Sequence, residues 1–419
     1  MKVAGIVAEY NPFHFGHKYH IEKTKEMVSA DAVIAVMSGN FVQRGEPALL
    51  DKNARARAAI KCGVDLVLEL PVFYAISSAE IFAKGSIGIL DATGIVDYLS
   101  FGSENGNIDE LKKISDFLYM ETRTYKKMLK EELAAGSSYP AAMSNALKKA
   151  MPEDDFDVGI LRKSNNILAI EYLKSLKRIN SVIEPVTVKR FGQDYKEGIA
   201  DIKEGFASAT AIRNLVYGIT DHNLNAFHSL KKFMPEDSYK IFLNEIKAGR
   251  VPVRIRDLEN IFLWRIRSSP THELREIYGM NEGLENRIKK NAQYCTDMGS
   301  LISSVLSKRY TEGTINRLFL NIILNITKQD AEMVKEAQEP GYIKVLDFSE
   351  TGKKLLSKMR KSAKIPIITK PSDIKKMDSV PTIEILKAIN EKAYDLYSLG
   401  YPNKMLRIGG NEYLKNLRY

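Results

Sequence analysis

The chain has 419 residues, 44% apolar and 27% charged, with 62 Lys/Arg against 52 Asp/Glu for a net charge of +10. No apolar run approaches the roughly 18–20 uncharged residues of a membrane span, and Glu9 with the Asn11-Pro12 turn interrupts any secretory apolar core. Cys62 and Cys295 stand alone, excluding a disulfide framework and a paired-cysteine zinc site. What remains is a cytoplasmic globular protein of two or three domains, with reduced thiols and no membrane partner.

The first apolar run, Val3-Ala4-Gly5-Ile6-Val7-Ala8, reads as a buried parallel strand, and 17–28 reads as a helix. Between them, Asn11-Pro12-Phe13-His14-Phe15-Gly16-His17-Lys18-Tyr19-His20 holds three of the chain's six histidines. A strand, a tight Pro/Gly turn and a helix make a place to hold phosphate. The helix N-terminus offers unpaired N–H groups and a partial positive charge, and imidazoles beside it can donate to phosphoryl oxygens as charge develops. Strand-like runs at 32–37, 65–70 and 97–101 follow, alternating with helical patterns at 51–62 and 77–91. A mostly helical insertion covers 108–178, and a fifth strand-like run spans Val182 to Lys189. This alternation indicates an α/β fold with a doubly wound parallel sheet. Ligands of such sheets bind beyond the carboxyl ends of the strands, where His14, His17, Asn40, Gly102, Arg190 and Phe191 all fall.

Two basic groups lie close to these strands. Arg44, Lys52, Arg55 and Arg57 follow the Asn40 loop and read either as a solvated helix face or as contacts to triphosphate or RNA. Asp65, at the start of its strand, reads as structural. In Ala207-Ser208-Ala209-Thr210-Ala211-Ile212-Arg213, Ser208 can cap a helix, leaving Thr210 and the guanidinium fork of Arg213 to hold β- and γ-phosphates.

Beyond residue 220 the chain reads as mostly helical, with segments at 222–233, 257–267 and 299–308. A smaller β-α-β unit is expected over 342–348, 350–361 and 365–369, then a helix over 382–399. The charge is lopsided: residues 1–220 carry 28 Lys/Arg and 28 Asp/Glu, residues 221–419 carry 34 and 24. Nine Lys/Arg, including Lys358, Arg360, Lys361 and Lys364, crowd 353–376 against Asp373 alone. The tail mixes Lys404, Arg407, Lys415 and Arg418 with Tyr401, Tyr413 and Tyr419. Such a basic half suits a polyanionic partner, with 353–376 as a phosphate-backbone track; a solubilising surface is the alternative.

Asn11-Pro12-x-His14-x-Gly16-His17 resembles the H-x-G-H signature of the nucleotidyltransferase superfamily related to class I aminoacyl-tRNA synthetases. Most simple adenylyltransferases of that group carry Ser or Thr where this chain has Glu9, ahead of Tyr10. The strings Ala8–His14, Ser38–Ala48, Asp65–Pro71 and Tyr98–Glu104 together resemble the bacterial tRNA(Met) cytidine acetate ligase family. The likeness is specific to about residue 215 and looser beyond it. The segment 207–213 resembles the I-S-[SA]-T-x-I-R motif of small-molecule adenylyltransferases, with Ala for the leading Ile.

The resemblance implies a Rossmann-like HxGH nucleotidyltransferase domain over 1–220 and a mostly helical, basic tRNA-binding region over 221–419. It implies ATP contacts by Val7, Ala8, Glu9, Tyr10, Asn11, Pro12, Phe13, His14, Phe15, Gly16, His17, Lys18, Tyr19 and His20, and by Gly102, Asn165, Arg190 and Phe191. Ser208 and Thr210 join them, with His14, His17 and Arg213 catalytic. The expected reaction is activation of acetate by ATP, with Mg²⁺, to acetyl-AMP. Acetyl transfer to the wobble cytidine of elongator tRNA(Met) then yields N4-acetylcytidine; no residue stands out as base for that transfer, and no protein partner is inferred. The alternatives are a small-molecule adenylyltransferase or acyl-adenylate ligase that needs no RNA, and a non-catalytic tRNA-binding protein.

Overall fold

The computed structural model describes residues 1–120, 122–137, 139–150, 158–190, 207–219, 224–281, 283–370, 373 and 380–414. Phe191, Lys375, Lys376, Lys415, Arg418 and Tyr419 lie outside the described residues, as does the side chain of Tyr413.

The strands are β1 (Val3–Ala8), β2 (Ala32–Ser38), β3 (Phe41–Val42), β4 (Glu46–Pro47), β5 (Leu66–Leu70), β6 (Tyr98–Ser103), β7 (Glu184–Lys189), β8 (Ile343–Phe348) and β9 (Ile367–Ile368). Seven of them form one sheet in the order β7-β6-β1-β2-β5-β8-β9, and β3 and β4 make a small antiparallel hairpin. Every residue of β2 (AVIAVMS) and β5 (LVLEL) is buried. Strands covered on both faces carry continuous apolar runs rather than alternation, so these two were the plainest to read.

β1 pairs in parallel with β2 on one side and β6 on the other. The strand order therefore reverses beside β1, and that switch point opens a crevice at the carboxyl ends of β1 and β6. Helices α1 (Phe15–Val28), α2 (Lys52–Lys61), α3 (Ala79–Ala92), α4 (Ser164–Arg178) and α5 (Ala209–Gly218) accompany the parallel strands. The expected insertion is helical from Ile108 to Arg178 apart from its connections and the residues outside the description.

Two expectations change. The unit at 342–369 is not separate: β8 pairs antiparallel with β5, and β9 pairs with β8, so the C-terminal half extends the main sheet. The intervening helix α6 (Glu350–Ser362) is capped by Ser349, whose hydroxyl also reaches Asp65 at 3.0 Å. Asp65 accepts from the Val33 amide as well, which makes its role structural, as read. The second change is in the expected helix at 222–233, whose described part, Leu224–Lys232, is a 3₁₀ helix. Leu224, Phe227, Leu230 and Phe233 recur every third residue, the period of the 3₁₀ turn rather than the α turn. Helix α7 (Pro381–Leu399) ends the main body, with proline in its first turn, where a missing N–H costs nothing.

Candidate active site

The turn after β1 folds onto its own histidines. His14 is the N-cap of α1, and its Nδ1 accepts from the Gly16 amide at 3.0 Å. The His14 amide in turn donates to Nδ1 of His17 at 3.3 Å. The two rings stack with centroids 3.9 Å apart, and Tyr10 and Phe13 pack on His17 at 5.0 and 5.5 Å. Gly16 is needed by contact: a Cβ there would lie 2.8 Å from Cε1 of the His14 ring.

This geometry decides the tautomers. An Nδ1 that accepts carries no proton, so each neutral ring holds its hydrogen on Nε2. Burial, with the Arg190 and Arg213 charges nearby, pushes His14 down to about 3. Burial and the neighbouring His14 also lower His17 well below the usual imidazole range. Both rings are therefore neutral Nε2–H donors at neutral pH. The first helical amides, by contrast, are already used. Phe15 donates to the Phe233 carbonyl, Gly16 to the His14 ring, and His17 and Lys18 to the His14 carbonyl. The expectation that bare amides of α1 await phosphate is thus corrected. The Gly16 amide acts through the imidazole, and a hydrogen bond into Nδ1 polarises the Nε2–H beyond it.

Arg213 reaches this turn from α5. Ser208 caps α5 by accepting from the Ala211 amide at 3.1 Å, as its position predicted. Arg213 is buried and donates to the Asn11 carbonyl at 2.9 Å and to the Thr210 hydroxyl at 3.1 Å. The two motifs, about 200 positions apart in sequence, thus share one hydrogen bond.

The opposite wall comes from β6, α4 and the end of β7. Asn165 donates through Nδ2 to Glu104 Oε1 at 2.7 Å and accepts from Arg190 Nη1 at 3.5 Å. Glu104 also takes the Asn165 amide at 3.3 Å and the Asn166 amide at 2.9 Å, anchoring the first turn of α4. A Cβ at Gly102 would meet Arg190 Cγ at 3.1 Å, so the missing side chain leaves room for that arginine. The Arg190 charge bears on all three histidines of the turn. Glu104 was overlooked in the sequence; its place one residue past the end of β6 was the available signal.

Other residues hold these pieces in place. Buried Arg55 donates to the carbonyls of Leu50 (3.0 Å), Glu9 (2.6 Å), Ser38 (3.0 Å) and Gly39, tying the loops after β1 and β2 together. Lys52 is buried between Glu69 and Glu412, each at 2.6 Å, and Lys344 bridges the same two carboxylates. Arg57 pairs with Glu245 at 2.9 Å. The basic cluster at 44–57 is therefore split: Lys52 and Arg55 are buried in internal bonds, whereas Arg44 and Arg57 are exposed, Arg57 held by Glu245. Asn11 and Glu9 accept from the Leu49 and Gln43 amides at 2.7 and 2.8 Å, and Asn40 accepts from the Lys52 amide at 2.8 Å. His20 turns to the sheet, where its Nε2 meets Ser100 at 3.1 Å, and burial pushes its pKa down to about 4. Lys18 lies 3.8 Å from Glu22 on the same helix.

Lys358, Arg360, Lys361 and Lys364 are all exposed on or just after α6. Lys364 pairs with Asp91 at 2.6 Å. α6 starts beside Asp65, before β5, and ends against Thr93 and Ala92, before β6. Those are the amino ends of parallel strands, so the patch stands at the end of the sheet opposite the histidine turn. Among the described residues no group of three His, Cys, Asp or Glu could hold a metal ion, and no helix is long and apolar enough to cross a membrane.

The chain resembles known proteins over its full length. The HIGH Nucleotidyl Transferase family model matches residues 1–411. The tRNA(Met) cytidine acetate ligase of Acetivibrio thermocellus is 42% identical over 418 residues, covering 100% of this chain and 99% of the relative. The enzyme of the same name from Thermoanaerobacter sp. is 42% identical, with 97% of each chain covered. A crystal structure of Thermotoga maritima TmcAL bound with α-thio ATP matches with a TM-score of 0.91 at 38% identity, covering 100% of both chains. Full-length likeness to relatives that share one name leaves a single conclusion: the chain belongs to the tRNA(Met) cytidine acetate ligase family.

Proposed function

We propose that this protein activates acetate with ATP and passes the acetyl group to the wobble cytidine of elongator tRNA(Met), making N4-acetylcytidine. The observation that carries the reading is the stacked pair His14 and His17, each a neutral Nε2–H donor, at a switch point shared with Arg190 and Arg213. In the first step an acetate oxygen bonds to the α-phosphorus and the bond to the β-phosphate bridging oxygen breaks, releasing pyrophosphate. Acetate is already ionised at neutral pH, so this step needs no general base. It needs alignment and donors where negative charge accumulates. His14 and His17 supply donors whose neutrality keeps them from forming a fixed ion pair with ground-state ATP. Arg213 and Arg190 supply fixed positive charge from the two walls, and Ser208 and Thr210 shape the phosphate end through α5.

Mg²⁺ fits as a companion of the triphosphate rather than as a resident ion. It keeps several waters and is commonly held by phosphates with one or two carboxylates, and Glu9 and Glu104 are both committed to backbone amides. In the second step the cytidine N4 bonds to the acetyl carbon, AMP leaves, and the amine loses a proton. The base must be swung out of its stack to reach the mouth. A tRNA acceptor places the reaction in the cytoplasm. Acetate-dependent exchange of pyrophosphate into ATP, without tRNA, tests the first step. Exchange is expected, and its absence in the folded protein would refute the activation chemistry.

A further inference from the structure

The basic patch on α6 faces away from the histidine turn, so another surface must present the anticodon. A candidate stands at the correct end of the sheet. Gly45, in the hairpin after β2, has φ +76° and packs against Asn316 and Arg317 of the helix Glu312–Leu324. Arg317 donates to the Gln43 carbonyl at 3.2 Å. Tyr278 stacks on Phe73, just past β5, at 5.8 Å. These contacts fix the helical block 255–336 beyond the carboxyl ends of β2 and β5, on the same side as His14 and His17. The helix Glu259–Ser268 packs on Glu312–Leu324.

That helix carries the only tryptophan of the chain, Trp264, and it is 67% exposed. Nothing in the fold requires a large apolar ring there, because the helix buries Phe262, Leu263 and Ile266 on its other side. One turn on, Arg267 reaches across to the Ala292 and Cys295 carbonyls, both at 2.7 Å. This brings the 292–295 turn alongside, and with it Tyr294, which is 81% exposed. Arg287 clasps the next turn through the Ser304 and Leu306 carbonyls at 2.9 and 3.2 Å. Exposed Lys308 and Arg309 follow directly.

The cations of this face form no salt bridge among the described residues. Of the nearby acids, Glu273 pairs with Arg265 at 3.9 Å and Glu285 with Arg275 at 3.2 Å, and Asp297, three residues past Tyr294, caps the next helix by accepting from the Ser300 amide at 2.8 Å. Arg267 and Arg287 bind carbonyl oxygens, which carry no net charge. Two exposed aromatic rings beside cations that no described carboxylate pairs with are what unstacked bases and their phosphates recognise.

We propose that Trp264 and Tyr294, with Arg267, Arg287, Lys308 and Arg309, form the face on which tRNA docks, with bases of a loop stacked on the two rings. This rests on the tRNA reading above. The test uses the intact wild-type chain, in which Trp264 is the only source of tryptophan emission. Titration with elongator tRNA(Met) is expected to quench that emission saturably and to lose the effect steeply with salt. Trp264→Ala and Tyr294→Ala are each expected to weaken tRNA binding about tenfold, with acetate-dependent pyrophosphate exchange unchanged. tRNA that binds in a retardation assay without altering the emission, together with wild-type affinity in both variants, would overturn the face and leave the acetyl transfer reading intact. A shift of the emission with protein concentration alone would also overturn it, by making the face a contact between copies of the chain. If the wild type binds no tRNA while exchange proceeds, it is the acceptor under the proposed function that fails, and this face falls with it.

Discussion

Gly16→Ala separates the chemistry of the histidine turn from its stability. An alanine Cβ would sit 2.8 Å from Cε1 and 3.0 Å from Nδ1 of His14, inside any tolerable contact. The backbone is pinned there, since Phe15 donates to the Phe233 carbonyl at 3.1 Å, so the imidazole is what must move. Moving it breaks the 3.0 Å bond from the Gly16 amide and unstacks it from His17. The fold loses a helix cap, about 1 kcal/mol, and gains up to about 1 kcal/mol because alanine is the better helix former. Net stability should therefore change little, and the melting temperature should move by no more than about 4 °C. The reaction should fare far worse, since a displaced transition-state donor costs about a hundredfold to a thousandfold in rate. Acetate-dependent pyrophosphate exchange and a thermal melt on the same preparation decide the matter. Near-normal exchange would refute the donor role of His14; a collapsed melt would refute the claim that the imidazole can yield.

Three further outcomes follow from the same geometry. Glu104→Gln replaces a carboxylate that accepts three N–H groups by an amide that can accept at only one atom, so Asn165 and then Arg190 lose their seat. The KM for ATP is expected to rise about tenfold with a smaller change in kcat, and an unchanged KM would contradict it. His14 is held down to about 3 in the folded chain, so between about pH 6.5 and 3 the unfolded chain binds the extra proton. This group should therefore cost up to about 1.4 kcal/mol of stability per pH unit on acidification and nothing above about 6.5. The urea midpoint should fall less between pH 7 and pH 5 in His14→Gln than in the wild type, and an equal fall would contradict the assignment. Replacing Lys358, Arg360, Lys361 and Lys364 together by Ala should spare acetyl-AMP formation while raising the KM for tRNA and flattening its salt dependence. Unchanged tRNA kinetics would remove that patch from the interface.

The centre of the sheet was legible because β2 and β5 are buried throughout and are apolar but for Ser38 and Glu69. The histidine turn was legible because His14, Gly16 and His17 have one reasonable local fold between a strand and a helix. The pairing of β8 with β5 was not, since nothing local in Ile343–Phe348 names a partner some 275 positions earlier. Arg55 and Lys52 misled for a related reason. A lysine or arginine on a helix reads as solvated until tertiary structure brings carbonyls or Glu412 to meet it. The occupied amides of α1 depend on Phe233, which sequence pattern cannot place. Charge asymmetry drew attention to α6 through a count of lysines and said nothing of the other end of the sheet. Trp264 and Tyr294, single aromatic residues in ordinary helical patterns, gave no signal until their exposure was seen.

The central claim is that one chain both activates acetate and acetylates tRNA. Purified protein incubated with ATP, Mg²⁺, isotopically labelled acetate and unmodified elongator tRNA(Met), followed by mass analysis of the nucleosides, tests it most directly. The account predicts labelled N4-acetylcytidine at the wobble position, dependent on ATP and absent from initiator tRNA. Pyrophosphate exchange without any labelled nucleoside would contradict it and leave a small-molecule acyl-adenylate ligase in its place.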